Sequence, residues 1–305
     1  MNRAVIVQAQ RTPVGRKDGM FRDVKPHLLA APLLQHLAHG LETEIDEVIF
    51  GNVVGPGGNM ARLTALEAGL PLSVTGMTID RQCSAGLEAI RTACHFIQGG
   101  AGSCYIAGGV ESSSTSPFPK RARFSPDRIG DPDMGVAAEH VAQKYRLTKE
   151  IQDDYVMLSY TRSWAACREG LYEPEIIAFE GRTEDECFLK ERNMAVLLKR
   201  AKPIFAKEFG TVTAANSCNI NDGAAAVVVM DEKLAHELNR KPILRFVDSA
   251  VSGIHPHYPG ISPVPAIRTL LDRNALTIED IDLFEINEAF ASKIVACVQE
   301  LSIPY

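Results

Sequence analysis

Apolar residues in the first third of the chain fall alternately into short continuous runs and into stretches with helical spacing. The short runs predict four strands, over 4–8, 47–54, 75–81 and 104–110. The helically spaced stretches predict three helices, over 26–38, 62–69 and 84–97. Because strands that alternate with helices are typical of a largely parallel sheet covered on both faces, we expect an α/β fold.

Residues 112–130 are rich in Ser, Pro and Arg, which indicates that the chain leaves the sheet at this point. A continuous apolar run over 224–230 then predicts a buried strand that returns to the first sheet. We therefore expect an N-terminal half built from residues 1–111 and 215–238, with residues 112–214 as an inserted loop domain.

The alternation of strands and helices restarts after residue 239. It predicts strands over 243–250 and 281–286 and helices over 264–273 and 289–301. Segment 281–287 resembles segment 45–52, and each follows a helix and a short polar turn, which suggests an internal duplication. Since the first half continues with more strands after its matching segment, we expect residues 239–305 to form an incomplete second half.

The composition and charge of the chain argue against several kinds of binding partner. The 305 residues carry a formal net charge of −6, so we expect no nucleic-acid partner, because phosphates are bound by basic surfaces. No apolar run approaches the roughly 18 residues of a membrane span, and we expect no membrane partner. The seven cysteines are scattered and odd in number, which argues against a disulfide framework and against a metal site. We expect a cytoplasmic protein.

Cys83 lies where a predicted strand turns into a predicted helix, within the segment 78–87. Backbone amides and the dipole at a helix start favour the thiolate form of a cysteine, which is the nucleophilic form. Ser84, Ala85 and Gly86 are small and would let a substrate approach closely, and the same amides could hold an oxyanion. The alternative interpretation is a buried cysteine in the first turn of a helix.

Seven separated motifs accompany Cys83 along the chain. They lie at 11–16, 107–112, 134–139, 152–153, 210–216, 221–226 and 287–291, the last of them reading Asn-Glu-Ala-Phe-Ala. Together and in this order they resemble the thiolase family. The resemblance extends from the first strand to the last residue.

This resemblance implies a five-layered α-β-α-β-α fold of two similar halves, with a loop domain inserted in the first half. It implies an acyltransferase in which a cysteine takes an acyl group from a coenzyme A thioester. The group then passes to the carbanion of acetyl-CoA or to free coenzyme A. Acyl-CoA, acetyl-CoA and coenzyme A are substrates in such a reaction, no cofactor is tightly bound, and the expected assembly is a homodimer or homotetramer.

Individual roles follow from the same resemblance. Cys83 stands at the position of the nucleophile, and Asn287 at that of the asparagine which holds a water in the oxyanion hole. Lys190 stands near the position of a nucleotide contact. Four further residues stand at positions that line the pantetheine tunnel, namely Met134, Ala214, Cys218 and Phe290. From the residues alone, Asn287 could instead cap the helix that follows it, and Phe290 could be a core residue.

Two family motifs, a Gly-His-Pro segment and a late Cys-x-Gly-Gly-Gly, do not occur in the 305 residues. Because the histidine activates the nucleophile and the second cysteine carries a proton, we expect weak turnover. Two smaller differences leave the acyl-chain preference open, namely Pro259 in place of methionine and Asp133 in place of histidine. The alternatives are a related ketoacyl or hydroxymethylglutaryl synthase and a catalytically silent coenzyme A-binding protein.

Overall fold

The computed structural model describes residues 2–118, 122–206 and 208–304. The chain forms two compact units, each assembled from three stretches. The first unit comprises Met1–Arg121, Gly170–Glu191 and Asn219–Val247. The second unit comprises Ala122–Glu169, Arg192–Cys218 and Asp248–Tyr305. The boundaries predicted above for the two halves and the inserted domain stay a prediction.

Seven strands occur in the part of the chain that the structure describes. They are β1 Ala4–Arg11, β2 Gly15–Arg16, β3 Glu47–Gly51, β4 Thr75–Ile79, β5 Cys104–Ser112, β6 Asn221–Asp231 and β7 Leu244–Arg245. All belong to one sheet in the first unit, in the order β4-β3-β5-β6-β1-β7, with β2 paired to β6. The predicted return of the 224–230 strand to the first sheet is confirmed.

Nine α-helices occur within the same described ranges. They are α1 Pro26–Ala38, α2 Met60–Glu67, α3 Ala85–Gly99, α4 Met134–Lys144, α5 Lys149–Arg168, α6 Met194–Arg200, α7 Glu232–Glu237, α8 Pro263–Asn274 and α9 Ala291–Leu301. None of these helices is long and apolar enough to cross a membrane.

The sheet is mixed, and four of the six strand pairs among the described residues are antiparallel, so the expectation of a largely parallel sheet is wrong. Strand β3 is parallel to both β4 and β5. Strand β6, in contrast, runs antiparallel to β5 and to β1, and β1 runs antiparallel to β7. The apolar pattern of a buried strand indicates burial on both faces but carries no information on strand direction, which explains the error.

Helices cover both faces of the sheet, as predicted. Side chains of β3 alternate between the two faces, with Val48 and Phe50 in one apolar core and Ile49 in the other. The first core also takes the buried leucines of α1, which are Leu29, Leu33, Leu34 and Leu37. The second core contains buried residues of α3, among them Ala89, Ala93 and Ile97. Each buried leucine contributes roughly 1.5–3 kcal/mol relative to exposure, so these helices are held mainly by apolar burial.

The stretch Gly170–Glu191 joins the first unit through charged contacts with the end of β1. The Arg11 guanidinium donates to both oxygens of Asp185, at 2.7 and 3.0 Å, and its Nε donates to Glu175 at 2.7 Å. The amide of Val14 also donates to Asp185, at 2.8 Å. This bidentate geometry fixes the stretch against the motif at 11–16.

The second unit is helical, and its core lies around α9. Buried residues of α9 pack with residues of α4 and α8, among them Val141, Val264, Ile294, Val295, Val298 and Leu301. The partly buried side chains of Phe284 and Ile286 pack against this core. They therefore show the alternation expected of a strand that faces a core.

The two strands predicted after residue 239 are largely absent. Of the prediction over 243–250, only Leu244–Arg245 forms a strand, paired with Val5 and Ile6 of β1. Residues 281–286 form no strand, because they have no ladder partner among the described residues. An alternating side-chain pattern is not enough for a strand, since the backbone N–H and C=O groups must also pair with a neighbour.

Candidate active site

Cys83 lies on a sharp turn between β4, which ends at Ile79, and α3, which begins at Ala85. The side chain is exposed, which excludes the alternative of a buried cysteine. Gln82 has a φ of 50°, in the left-handed region that few side chains adopt. The turn is closed by a hydrogen bond from the Gln82 amide to Asp80, at 2.8 Å. The strained residue just before Cys83 helps present the thiol outward from the helix start.

The start of α3 lies unusually close to the sheet. A Cβ on Gly51, the last residue of β3, would come within 2.6 Å of the Ala85 backbone. A Cβ on Gly109 of β5 would lie 3.5 Å from the Cα of Gly86. Glycines on both sides of this contact therefore bring the helix start against the carboxyl ends of two parallel strands. Ligand sites of α/β sheets commonly lie at such ends.

The loop after β3 is tied to the end of β5 at the same edge of the sheet. The Asn52 side chain donates to Glu111, at 3.0 Å, and to the Val110 carbonyl, at 2.9 Å. The amides of Val53 and Val54 donate to the other oxygen of Glu111, at 2.9 and 3.0 Å. Burial raises the pKa of the Glu111 carboxyl, and these donors oppose the rise. The contacts fix the backbone that borders the Cys83 turn.

Three charged side chains join the Cys83 turn to α3. Glu88, in the first turns of the helix, is only 8% exposed. Arg81 approaches it at 3.3 Å and Arg91 at 2.7 Å. The two guanidinium groups neutralise the Glu88 carboxylate, which would otherwise oppose a thiolate at the same helix end.

In the second unit, the segments 214–218 and 287–291 pair with each other. The Cys218 amide donates to the Ala289 carbonyl at 3.0 Å, and the Ala291 amide donates to the Asn216 carbonyl at 3.0 Å. An antiparallel bridge between Ser217 and Phe290 lies between these two bonds. The structure thus places two of the predicted site residues, Cys218 and Phe290, side by side on facing segments. Ala214 and Asn287 lie on the same two segments, towards opposite ends of the pairing.

The structure excludes the alternative interpretation of Asn287 as a helix cap, and its role in an oxyanion hole stays a prediction. Helix α9 begins at Ala291, its N-cap residue is Phe290, and no side chain caps it. Asn287 lies three residues before that N-cap position and is exposed. The capping interpretation is therefore wrong, and the Asn287 amide remains available for another role.

A buried glutamate of α4 holds the start of the 210–216 motif. Glu139 is 2% exposed. It accepts hydrogen bonds from the Thr211 amide at 2.9 Å, the Thr211 hydroxyl at 3.1 Å and the Val212 amide at 2.9 Å. These three donors satisfy the buried carboxylate and fix the loop that leads to Ala214.

Helix α5 holds the other end of the same motif. Asn216 accepts from the Thr213 amide at 2.7 Å and donates to Asp153 at 3.2 Å. The fully buried Gln152 donates to the Thr211 hydroxyl at 2.8 Å. The motifs at 134–139, 152–153 and 210–216, which are separate in the sequence, therefore form one polar network.

Phe205 contacts both segment 287–291 and the start of α4. The rings of Phe205 and Phe290 meet edge to face, with centroids 6.3 Å apart. A Cβ on Gly135 would lie 2.2 Å from Phe205, so the residue next to Met134 also contacts this ring. Phe205 was not predicted as a site residue, because it lies outside the seven motifs and only its contacts reveal it.

Lys190 and Cys83 belong to the first unit, whereas the other five predicted site residues belong to the second. Lys190 is exposed near the end of the stretch that Arg11 anchors. Its cationic side chain can therefore meet an anionic group from solvent.

The fold and these motifs define the class of protein. Residues 4–233 match the thiolase N-terminal domain, and residues 240–305 match the thiolase C-terminal domain. The chain belongs to the thiolase family and is an acyltransferase of the thiolase type. The predicted family and reaction class are confirmed.

Relatives from three bacteria agree with this assignment. The chain is 58% identical over 302 residues to YhfS of Bacillus subtilis (strain 168), a candidate acetyl-CoA C-acetyltransferase, covering 99% of this chain and 83% of the relative. It is 44% identical over 326 residues to VraB of Staphylococcus aureus (strain MSSA476), also a candidate acetyl-CoA C-acetyltransferase, covering 99% and 85%. The crystal structure of the Bacillus anthracis acetyl-CoA acetyltransferase superimposes with a TM-score of 0.91 at 36% identity, covering 100% of this chain and 84% of that one. This confirms the predicted thiolase fold.

Proposed function

We propose that the chain transfers an acetyl group between coenzyme A thioesters through an acetyl-enzyme on Cys83. The observation that carries this proposal is the exposed Cys83 on a strained turn at the start of α3. The acetyl-CoA acetyltransferase identity of the Bacillus anthracis structure supports acetyl-CoA as the substrate.

Acetyl transfer between two coenzyme A thiols uses the Cys83 thiol as the nucleophile, and we expect it to be slow in these 305 residues because the histidine motif that activates the nucleophile in the family does not occur in them. Cys83 releases its proton to solvent, and its thiolate attacks the thioester carbonyl carbon. The new carbon–sulfur bond forms as the bond to the coenzyme A sulfur breaks, and the departing coenzyme A thiolate takes a proton from solvent. The backbone amides at the start of α3 and a water on Asn287 would stabilise the oxyanion of the intermediate. In the exchange reaction, the thiolate of a second coenzyme A attacks the acetyl-enzyme carbonyl, and the bond to the Cys83 sulfur breaks. In the condensation, the attacking carbanion forms when a base removes a proton from the methyl group of a second acetyl-CoA, and the family assigns this role to the late cysteine motif.

The residues predicted for the pantetheine tunnel and the residue predicted for the nucleotide would both contact coenzyme A. Met134, Ala214, Cys218 and Phe290 would line the path of the pantetheine arm, and the contacts of Phe205 with Gly135 and Phe290 add its ring to that path. Lys190 would meet a phosphate of the nucleotide, because an ammonium group suits a phosphate oxygen. No tightly bound cofactor is needed for this reaction.

We also propose a homodimer or homotetramer located in the cytoplasm. The assembly rests on the family resemblance alone. Light scattering that shows a mass of two or four chains supports it, whereas a stable monomer at micromolar concentration contradicts it.

The test of the proposed function is isotope exchange. The protein is incubated with acetyl-CoA and isotopically labelled coenzyme A, and transfer of the acetyl group to the labelled thiol is followed by mass spectrometry. An acetyl-enzyme predicts exchange without a second acyl substrate, and Cys83→Ala should lower the rate at least about 10³-fold. The control is Cys187→Ala, which removes another exposed cysteine of the first unit. Equal rates in both variants would refute the proposal, and binding without exchange would favour a silent coenzyme A-binding protein.

A further inference from the structure

Helix α5 holds the residue that follows Asn287. The hydroxyl groups of Tyr155 and Ser159 donate to the two carboxylate oxygens of Glu288, with a distance of 2.7 Å for Ser159. Tyr155 and Ser159 are four residues apart and therefore lie on the same face of α5. Both oxygens of Glu288 are thus engaged by one helix face.

The backbone after Glu288 is fixed as well. The Ala289 carbonyl accepts from the Cys218 amide at 3.0 Å, so the residue next to Glu288 is held by the facing segment. That facing segment is itself held by α5, through the contact of Asn216 with Asp153 at 3.2 Å. Helix α5 therefore supports both segments of the pair from one side, and Asn287 lies at the edge of this supported region.

The contacts of Glu288 favour a structural role over a role as a general acid or base. A carboxylate that accepts a hydrogen bond on each oxygen is held in one orientation by its two donors. We therefore interpret the two hydrogen bonds of Glu288 as contacts that fix its position. An exposed glutamate with two side-chain donors from a single helix serves best as an anchor for its own backbone.

We propose that Glu288 is a positioning residue that acts through Asn287 and that Tyr155 and Ser159 hold it in place. This inference rests on the proposed function, in which Asn287 carries the oxyanion-hole water. A loosened Glu288 lets the Asn287 amide sample more orientations, which weakens stabilisation of the transition state but leaves substrate binding largely intact.

The test is a double-mutant cycle on the acetyl-exchange reaction, with kcat and KM measured separately. Tyr155→Phe should lower kcat about 5- to 10-fold and leave KM within about twofold. Asn287→Ala alone should lower kcat about 10²-fold. Adding Tyr155→Phe to Asn287→Ala should then lower kcat no further, because the residue through which Tyr155 acts is gone.

Two other variants separate positioning from general stability. Glu288→Ala should match or exceed the loss in Tyr155→Phe, whereas Glu288→Gln keeps an acceptor for Tyr155 and should recover most of the activity. The matched control is Tyr145→Phe, which removes another Tyr–Glu hydrogen bond of the second unit, that to Glu300 at 2.8 Å. It should lower Tm without lowering kcat. If Tyr155→Phe fails to fold, Ser159→Ala takes its place in the cycle.

The outcomes distinguish the inference from the function on which it rests. An unchanged kcat in Tyr155→Phe, or an equal loss of kcat in the presence and absence of the Asn287 side chain, would overturn the inference alone. An unchanged kcat in Asn287→Ala would overturn the role proposed for Asn287, and the inference with it.

Discussion

Gly51 lies so close to Ala85 that a Cβ on the glycine would come within 2.6 Å of the Ala85 backbone. Real Cβ atoms do not approach backbone atoms so closely, so one of the two elements would have to move. The contact joins the end of β3 to the first residue of α3, two residues after Cys83. Packing in the sheet thus sets the position of the proposed nucleophile.

We expect Gly51→Ala to destabilise the protein by about 1–3 kcal/mol, the usual effect of overpacking. We also expect a lower rate of acetyl exchange than in wild type at temperatures where the variant is still folded, because the helix start that carries Cys83 is displaced. The control is Gly99→Ala, at a helical position where an added Cβ meets nothing within 4 Å. That change should be neutral or stabilising by up to about 1 kcal/mol. Thermal unfolding and the exchange rate check both variants, and similar values for the two would contradict the packing argument.

Removal of the Glu139 carboxylate should loosen the loop that it holds. Glu139→Ala leaves the amides of Thr211 and Val212 buried without their acceptor, which we expect to cost about 3 kcal/mol. Hydrogen exchange at these two amides should accelerate in parallel with the loss of Tm. Glu42→Ala, the same substitution at an exposed position, should change stability by less than about 0.5 kcal/mol. Unchanged exchange at Thr211 would show that the carboxylate does not hold the loop.

The pH dependence of stability should carry a contribution from Glu300. Hydrogen bonds from the Tyr145 hydroxyl and the Arg268 guanidinium lower the pKa of this carboxyl from its ordinary value of 4.5. A carboxyl whose pKa is lowered in the folded state contributes stability above its unfolded value, and the contribution is lost as the pH falls through the folded value. Wild type should therefore exceed Glu300→Gln in Tm at pH 7, with a gap that closes below about pH 4.5. A gap that widened in acid would have the wrong sign.

Much of the first unit follows from the sequence because its elements are specified locally. The strand runs near Val48 and Ile106 and the helical spacing around Leu33 indicate their elements without knowledge of the fold. The antiparallel direction of β6 does not follow, because strand direction depends on the route of the chain. Residues 281–286 show the reverse case, in which a correct side-chain pattern lacks a described partner strand.

Some features of the candidate site could be predicted from the sequence and others could not, for the same reason. The Cys83 turn could be predicted because a cysteine, small residues and a strand-to-helix boundary lie next to each other in the sequence. The clamp of Tyr155 and Ser159 on Glu288 could not, since it joins residues far apart in the chain through side chains that are common on any surface. The contact of Phe205 with Phe290 was missed for the same reason.

The most direct test of the account is to locate the acetyl group on the enzyme. The protein is mixed with acetyl-CoA, quenched in acid, digested and analysed by mass spectrometry, with hydroxylamine treatment to identify a thioester. The account predicts a hydroxylamine-sensitive acetyl group on Cys83 and none on Cys187 or Cys218, which are also exposed. An acetyl group on either of those cysteines, with Cys83 unmodified, would contradict it.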